Sequence, residues 1–396
     1  MNYIVVGANF GDEGKGRACR YIADMHRKDV AIEKIVSIRH NGGSQAGHTS
    51  HGFVHHALGS ANTITYLADS FVFDPFAFNK EFKEKTIFDS KIPYQVYIHK
   101  DCRIVTPIDI LMNHVIETIR TKRHGSCGMG IHACIVRNET LPLTVKMLKE
   151  MSSSSKQVFA KLLISHYHGF EQAIRDIPEQ FKNLNLDLII ARFFNEFDNA
   201  LKDLAIVEDE KDFLEKFDLR IFEGAQGLLL DKDNKEYYPH VTPSKTDSTN
   251  PINILKRNDL NDSVQPIYCT RTYLTRHGEG NFPTKLFNTE AMNTIAKLDT
   301  TNVKNDWQGS LRCGYLDFNW KDRTLKDFEK YKGMNALKAK YFLTWWDVSN
   351  NCLFYENSVG TLMPTETLNL KEIESKTIEG KLLEHPFNLL TKHVKY

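Results

Sequence analysis

The chain opens with Tyr3-Ile4-Val5-Val6-Gly7-Ala8-Asn9-Phe10-Gly11-Asp12-Glu13-Gly14-Lys15-Gly16. An apolar run enters a glycine-rich loop with one lysine, and residues 16–27 then carry the composition of a helix. Strand, glycine loop, lysine and helix together aim backbone N–H groups and a helix N-terminus at an anion. The loop is not a Walker A motif, because Asn9 stands where the first glycine belongs and Gly16 follows Lys15 instead of Ser or Thr. A phosphate site and a tight turn with a surface lysine are both open readings of this stretch. Two acids, Asp12 and Glu13, inside a phosphate loop need their own explanation.

The alternation continues along the chain. Residues 35–38 and 219–222 read as strands, as do 266–269 and 341–343, and each leads into a polar or glycine-rich loop. The spacing of Ile108, Ile110, Leu111, Val115 and Ile119 predicts a helix over 104–120. Residues 141–216 are rich in helix formers, with Ser152–Ser155 marking a break or a helix start. No repeat, low-complexity linker or domain boundary interrupts the pattern. The expected architecture is α/β: one large domain, residues 1–396, around a mixed, mainly parallel sheet with helices on both faces. Ligands of such sheets bind at the carboxyl ends of the strands, where the glycine loops of this chain fall.

Composition narrows the class. The 396 residues are 41% apolar, enough for a sizeable core, and the net charge of +1 gives no argument for nucleic acid or a membrane surface. No segment approaches the ~20 apolar residues that span a bilayer, and the N-terminus lacks the pattern of a secretory signal. The seven cysteines are scattered and include no CxxC pair, which argues against a disulfide frame or a zinc site. A cytosolic, soluble protein is expected.

Further loops could carry chemistry. "NGGSQAGHT" (41–49) is bent by Gly42, Gly43 and Gly47 and contains His48; alone, that residue reads more readily as a hydrogen-bonded structural histidine than as a catalytic one. "RHGSCGMGIH" (123–132) resembles a phosphate nest centred on Ser126, Cys127 and Gly128, or a plain flexible loop. "FEGAQG" (222–227) offers Gln226 to a base or sugar, with a turn as the alternative. "TRHGEGNFPTK" (275–285) adds another glycine loop.

Taken in order, "GDEGKG" (11–16), "GGSQAGHT" (42–49), "SCGMG" (126–130), "EGAQG" (223–227), "YPHVT" (238–242) and "TRHGEGNFPT" (275–284) resemble the adenylosuccinate synthetase family over residues 3 to 350. The resemblance implies a homodimer and a two-step ligation. A 6-oxopurine nucleotide is phosphorylated at O6 by a nucleoside triphosphate, and the amino group of an amino acid, aspartate in the family, displaces the phosphate. It implies Asp12 as the base for the N1 proton and, with the Gly47 carbonyl, as a Mg²⁺ ligand. The metal and Lys15 would then offset repulsion between carboxylate and phosphate. His48 is implied as a donor to the transferring phosphoryl group. Gly11, Glu13, Gly14, Lys15, Gly16, Gln45, Ser126, Cys127, Arg137, Gln226 and Thr242 are implied to bind nucleotide and phosphate. Arg137 lies near the family's arginine that reaches the phosphate across the dimer.

The chain also departs from the family pattern. Gln45 replaces an asparagine, and Ser126 and Cys127 replace paired threonines, the thiol being the weaker donor. The arginine-rich amino-acid loop is the stretch 299–317 here, in which Thr300 and Thr301 survive and Arg312 is the only arginine. Lys304 offers a charge without the guanidinium fork. In the base-reading loop, Asp347 is kept, favouring GTP, while Trp345 stands where the family has lysine and can stack on a purine or simply fill core; ATP is the alternative donor. A phage branch of the family acts on dGMP, and some of its members lack the first-loop aspartate, so Asp12 favours an IMP-like substrate. An amine donor other than aspartate, an inactive nucleotide-binding member and a GTPase-like switch are the remaining readings. The last needs neither Asp12 as base nor the later loops.

Overall fold

The computed structural model describes residues 1–50, 52–89, 95–121, 124–174, 176–271, 273–283, 307, 311–314, 316–317, 319–344 and 355–356. Its centre is an eight-stranded sheet. In chain order the first elements are β1 (Asn2–Gly7), α1 (Lys15–His26), β2 (Ile35–Arg39), β3 (His48–Ser50), β4 (Phe53–His55) and β5 (Ile64–Leu67). There follow β6 (Val72–Phe73), α2 (Pro75–Phe88), β7 (Val96–His99), β8 (Arg103–Ile104) and α3 (Pro107–Ile119). A helical stretch comes next: α4 (Ile131–Thr140), α5 (Val145–Glu150), α6 (Ser153–Ala173) and α7 (Leu186–Ala200). Then come β9 (Leu204–Val207), α8 (Glu210–Leu214), β10 (Leu219–Gly227), α9 (Thr249–Arg257), β11 (Val264–Arg271) and β12 (Leu274–Arg276). Strands β13 (Arg312–Gly314), β14 (Leu316–Asp317) and β15 (Lys340–Thr344) complete the elements used below.

The strand order is β15-β11-β1-β10-β2-β5-β7-β9. A mainly parallel sheet was expected, and every pairing within it is parallel; antiparallel pairing among the described residues lies outside it, in β3–β4, in β12–β13 and in a single bridge between Arg103 and Thr144. The carboxyl ends of β1, β2, β10, β11 and β15 therefore share one edge, and the loops singled out in the sequence gather there.

The apolar run of β1 is buried throughout because both faces of the sheet are covered. Tyr3 and Val5 pack with Ala18, Cys19, Ile22 and Ala23 of α1. Ile4 and Val6 face the opposite cluster with Ile252, Ile254 and Leu255 of α9. Helices α2, α3, α6 and α7 build a further core around Phe78, Leu163, Ile190 and Phe193 against β5 and β7. Ser152 is the N-cap of α6, its hydroxyl accepting from the Ser155 amide, so the serine run is a helix start. The helix expected over 104–120 begins at Pro107, because Thr106 and Asp109 form a capping box and the proline occupies N1.

Asp109 also holds Arg137. The Nε of Arg137 donates at 2.9 Å and Nη2 at 3.0 Å to the carboxylate, while Nη1 and Nη2 give to the Leu141 and Ile104 carbonyls at 2.7 and 2.8 Å. Both side chains of the pair are 0% exposed. The guanidinium, expected to reach a phosphate across a dimer, is here enclosed, with its donors on Asp109, Leu141 and Ile104 of the same chain. Asp109→Ala leaves the cation buried and unbalanced, and is expected to cost about 3–5 kcal/mol in urea denaturation.

His40 follows β2 and lies against the Phe222 ring, fully buried, with no hydrogen-bond partner for either ring nitrogen among the described residues. Burial, and then the charge of Arg39, hold its pKa down at about 3 against an ordinary 6.5. The sign follows from linkage. Between those values the unfolded chain takes up a proton that the folded chain refuses, so stability is lost as pH falls through this window. The contribution approaches about 1.4 kcal/mol per pH unit, and His40→Phe is expected to flatten the stability curve there in a pH series of urea denaturations.

Candidate functional site

The first loop leaves β1 and folds back over β10. Gly11 (φ 107°), Asp12 (φ 63°) and Gly14 (φ 79°) all lie in the left-handed region. At Gly14 a Cβ would stand 2.5 Å from Cγ2 of Thr344, where β15 ends, so the position demands glycine twice over. Gly16 is closed in the same way by Ser60 and His48.

Helix α1 starts from Gly14 with no side-chain cap. Helix α4 starts from Gly130 (φ 68°) likewise, directly after "SCGMG". Helices α2, α3 and α5 to α8 each spend a side chain on the cap: Asp74, Thr106, Thr144, Ser152, Asn185 and Asp209. The two glycine loops thus present helix N-termini unblocked by their own caps, which is the arrangement that receives phosphate.

The acids and the lysine of the first loop divide the work. Glu13 points inward, 2% exposed. Its Oε1 accepts from the Asn9 amide at 2.6 Å, and burial pushes its carboxyl up to about 7 despite the nearby Lys15 charge. Lys15 is 1% exposed, so the surface-lysine reading is wrong. Its ammonium makes no hydrogen bond or ion pair with another described residue, while its charge acts on both Asp12 and Glu13.

Asp12 is 29% exposed and points the other way. Its Oδ2 accepts from Nε2 of His277 at 3.0 Å and lies 3.7 Å from Nη2 of Arg271, whose Nε donates to the Asp12 carbonyl. Burial alone would raise the Asp12 pKa, but the His277 hydrogen bond and the charges of Arg271, His277 and Lys15 outweigh it, holding it below the usual carboxylate range.

His48 stands at the start of β3 with both ring nitrogens on acceptors, Nδ1 at 2.5 Å from Oε1 of Glu223 and Nε2 at 3.1 Å from the Ala225 carbonyl. Burial lowers its pKa, while the Glu223 hydrogen bond works the other way. With a proton on Nε2 the ring donates to Ala225, and an incoming phosphoryl oxygen could take over that donor. Glu223 is buried completely and also accepts from Arg39 at 3.3 Å, from the Ser60 amide at 2.9 Å and from the Ser60 hydroxyl at 2.5 Å. Burial pushes the Glu223 carboxyl up, and Arg39 and His48 more than reverse this.

The remaining loops converge on the same edge. The Gln45 amide lies beside Gly42, Gly43 and Ile131, close to the start of α4. Among the described residues, Oε1 of Gln45 and Oε1 of Gln226 are buried without hydrogen-bond partners, and Gln226 backs onto Gly11. A Cβ on Gly125 would meet Gly278 at 2.7 Å, and the Glu279 amide gives to the His124 carbonyl at 3.4 Å, so the stretches 124–125 and 278–279 touch. Ser126 accepts from Asn113 at 3.1 Å. Burial raises the Cys127 thiol to about 11, keeping its S–H as a donor. Thr242 is buried, its amide bonded to the Leu230 carbonyl. Gly47 is exposed.

Arg312, expected at the amino acid, lies against the loop that follows β12. Its Nη1 and Nη2 donate to the Gly280 and Gly278 carbonyls at 2.9 and 2.7 Å, and its guanidinium lies over the Phe282 ring. It ties down the 275–284 loop. Thr300, Thr301, Lys304, Trp345 and Asp347 lie outside the described residues, although Thr344, beside them, reaches the Glu13 carbonyl at 3.3 Å. Sequence reading passed over Glu223, Arg39, Ser60, Arg271 and His277. Only Glu223 gave a signal, an acid inside a quoted motif that directly follows an apolar run.

A parallel α/β sheet whose carboxyl edge carries two uncapped helix starts, a buried lysine and a held carboxylate defines a nucleotide-handling protein. The adenylosuccinate synthetase family model matches residues 4–379, and the chain belongs to that family of carbon–nitrogen ligases. It is 28% identical over 309 residues to the adenylosuccinate synthetase of Buchnera aphidicola subsp. Baizongia pistaciae, covering 72% of this chain and 66% of that protein. The Thermotoga maritima adenylosuccinate synthetase is 28% identical over 347 residues, covering 80% and 75%. The chain thus spans roughly two thirds to three quarters of the length of these relatives. Among solved structures, the fold is like that of fully ligated adenylosuccinate synthetase from Plasmodium falciparum (TM-score 0.65, 21% identity, 87% of this chain and 77% of that one). It is also like the cyanophage S-2L succinoaminodeoxyadenylate synthetase bound to dGMP and dATP (TM-score 0.50, 14% identity, 86% and 83%).

The shared carboxylate makes a clear test. Glu223→Gln leaves Arg39 buried without its counter-charge and is expected to cost about 3–5 kcal/mol in urea denaturation. Ser60→Ala removes a single hydroxyl from the same carboxylate and should cost about 1–3 kcal/mol.

Proposed function

We propose that this chain joins L-aspartate to the 6-position of an IMP-like 6-oxopurine nucleotide, driven by GTP, in purine nucleotide biosynthesis. The observation that carries this reading is the Asp12 carboxylate, held through Oδ2 alone, with Oδ1 free of any hydrogen bond among the described residues. It belongs to the loop that starts α1, and the 275–284 loop that touches it also touches the phosphate nest before α4.

The reaction divides between these residues. Lys15 and the amides opening α1, with Gly11, Glu13, Gly14 and Gly16 shaping the loop, hold the triphosphate. Ser126, Cys127 and the start of α4 hold the 5′-phosphate, while Gln45, Gln226 and Thr242 line the nucleotide. Oδ1 of Asp12 takes the N1 proton as O6 attacks the γ-phosphorus, the nucleoside diphosphate leaves, and Nε2 of His48 donates to the charge that develops on the moving phosphoryl group. The aspartate amino group then attacks C6, and inorganic phosphate departs with the former O6.

Among the described residues there is no cluster of three or more His, Cys, Asp or Glu able to hold a metal. This fits Mg²⁺, which takes one or two carboxylates and fills its octahedron with phosphate oxygens and water. Asp12 and the exposed Gly47 carbonyl would hold it, and when bound it supplies positive charge against the phosphates. Asp347 and Trp345 are assigned to the base of GTP, with ATP as the alternative, and Thr300 and Thr301 to the amino acid. A homodimer completes the reading.

A second reading has its own observation. Both Nη atoms of Arg312 are spent on the Gly278 and Gly280 carbonyls, which weakens the case for it as the aspartate clamp and favours a different amine donor. Phosphate release should be measured with Mg²⁺, GTP and IMP, with aspartate set against other amino acids, and repeated with ATP and with dGMP. Turnover dependent on aspartate, IMP and GTP is expected. Preference for dGMP or for another amine would replace this reading, and no release with any combination would sink it. Asp12→Asn should lower kcat by about 10²- to 10⁴-fold while the protein stays folded.

A further inference from the structure

One segment grips the front of the site. Arg271, at the end of β11, donates through Nε to the Asp12 carbonyl. Thr275 of β12 donates to the Gly11 carbonyl at 3.4 Å. His277, two residues further, gives its Nε2 proton to Oδ2 of Asp12 at 3.0 Å. Asp12 needs such a grip, because its backbone stays at φ 63°, a region that costs a non-glycine residue on the order of 1 kcal/mol. The direction of its side chain is therefore set by the contacts around it.

His277 is itself held. It is followed by Gly278 (φ 72°), whose carbonyl accepts from Nη2 of Arg312. Nη1 of the same arginine takes the Gly280 carbonyl, and the loop packs on Gly125 and on the His124 carbonyl.

We propose that His277 is the positioning residue for the Asp12 carboxylate. By occupying Oδ2 it fixes the carboxylate plane and leaves Oδ1 as the single free acceptor for the purine N1–H. Arg312 acts one step behind, by holding the loop from which His277 reaches. The proposal rests on Asp12 being the base. A group that orients a base without touching the nucleotide changes kcat and leaves nucleotide binding alone.

The test uses His277→Ala and His277→Gln, since a glutamine Nε2 can donate from about the same place. His277→Ala is expected to lower kcat about 10- to 100-fold, as loss of an orienting partner typically does, with the KM for IMP shifted less than about threefold. His277→Gln should recover most of that loss. Calorimetric binding of IMP alone should be alike in both variants and the parent. In an Asp12→Asn background, His277→Ala should add no further loss. Crystal structures of the two variants give a readout without turnover: the Asp12 carboxylate keeps its orientation with glutamine and leaves it with alanine.

The proposal is overturned if His277→Gln is as slow as His277→Ala while folded, if KM rises with kcat kept, or if alanine leaves the carboxylate in place. Failure of the underlying reading looks different: Asp12→Asn would then stay active. An inactive Asp12→Asn beside a fully active His277→Ala refutes only the role of His277.

Discussion

A single buried carboxylate organises the front of this protein. Glu223 sits at 0% exposure in the middle of β10 and is shared by Arg39 at the end of β2, His48 at the start of β3 and both polar groups of Ser60. An isolated charge in that position would be expelled or neutralised; with Arg39 and three hydrogen bonds it is kept ionised. The consequence is geometric. Three stretches of chain are joined through one side chain, and His48 is fixed with one ring nitrogen on Glu223 and the other on the Ala225 carbonyl. The glycine at 16 follows from the same packing, because Ser60 and His48 already fill the space where a Cβ would go.

The first loop shows how two neighbouring acids come to differ. Asp12 is turned outward by a left-handed backbone and meets His277 and Arg271, so it is held below the usual carboxylate range. Glu13 is turned inward, where burial raises it to about 7. The chemistry available to each is set by which side of the loop it occupies, and that side is set by Gly11, Asp12 and Gly14 at positive φ. The same parallel sheet that brings this loop to the edge brings the 40–47, 223–227, 271–280 and 344 stretches to it, since parallel strands must all end on one side.

Much of the architecture was legible in the sequence for a physical reason. Buried parallel strands need short apolar runs, and residues 3–6, 35–38, 219–222, 266–269 and 341–343 all became strands of the one sheet. Helix starts were legible where a cap or proline marks them, as at Ser152, and blurred where apolar spacing alone was used, as at 104–120. Pairings across the chain were illegible. Arg137 has the same charge and helix context as a phosphate ligand, and only the packing of α4 on α3 encloses it with Asp109. Arg312 was expected at the amino acid, and the pairing of β13 with β12 sets it against the Gly278 and Gly280 carbonyls.

The sequence by itself determined the class: strand–glycine–lysine–helix at the front, an ordered set of further glycine loops, and family membership across residues 4–379. These are local facts, carried by residue types whose backbone freedom or charge has one main use. Only the tertiary structure decided which groups face each other. That Glu223 joins Arg39, His48 and Ser60, that His277 holds Asp12, and that Arg137 is closed off all depend on contacts between residues 28 to 265 positions apart. Such contacts are set by sheet order and burial, which no short stretch of sequence encodes.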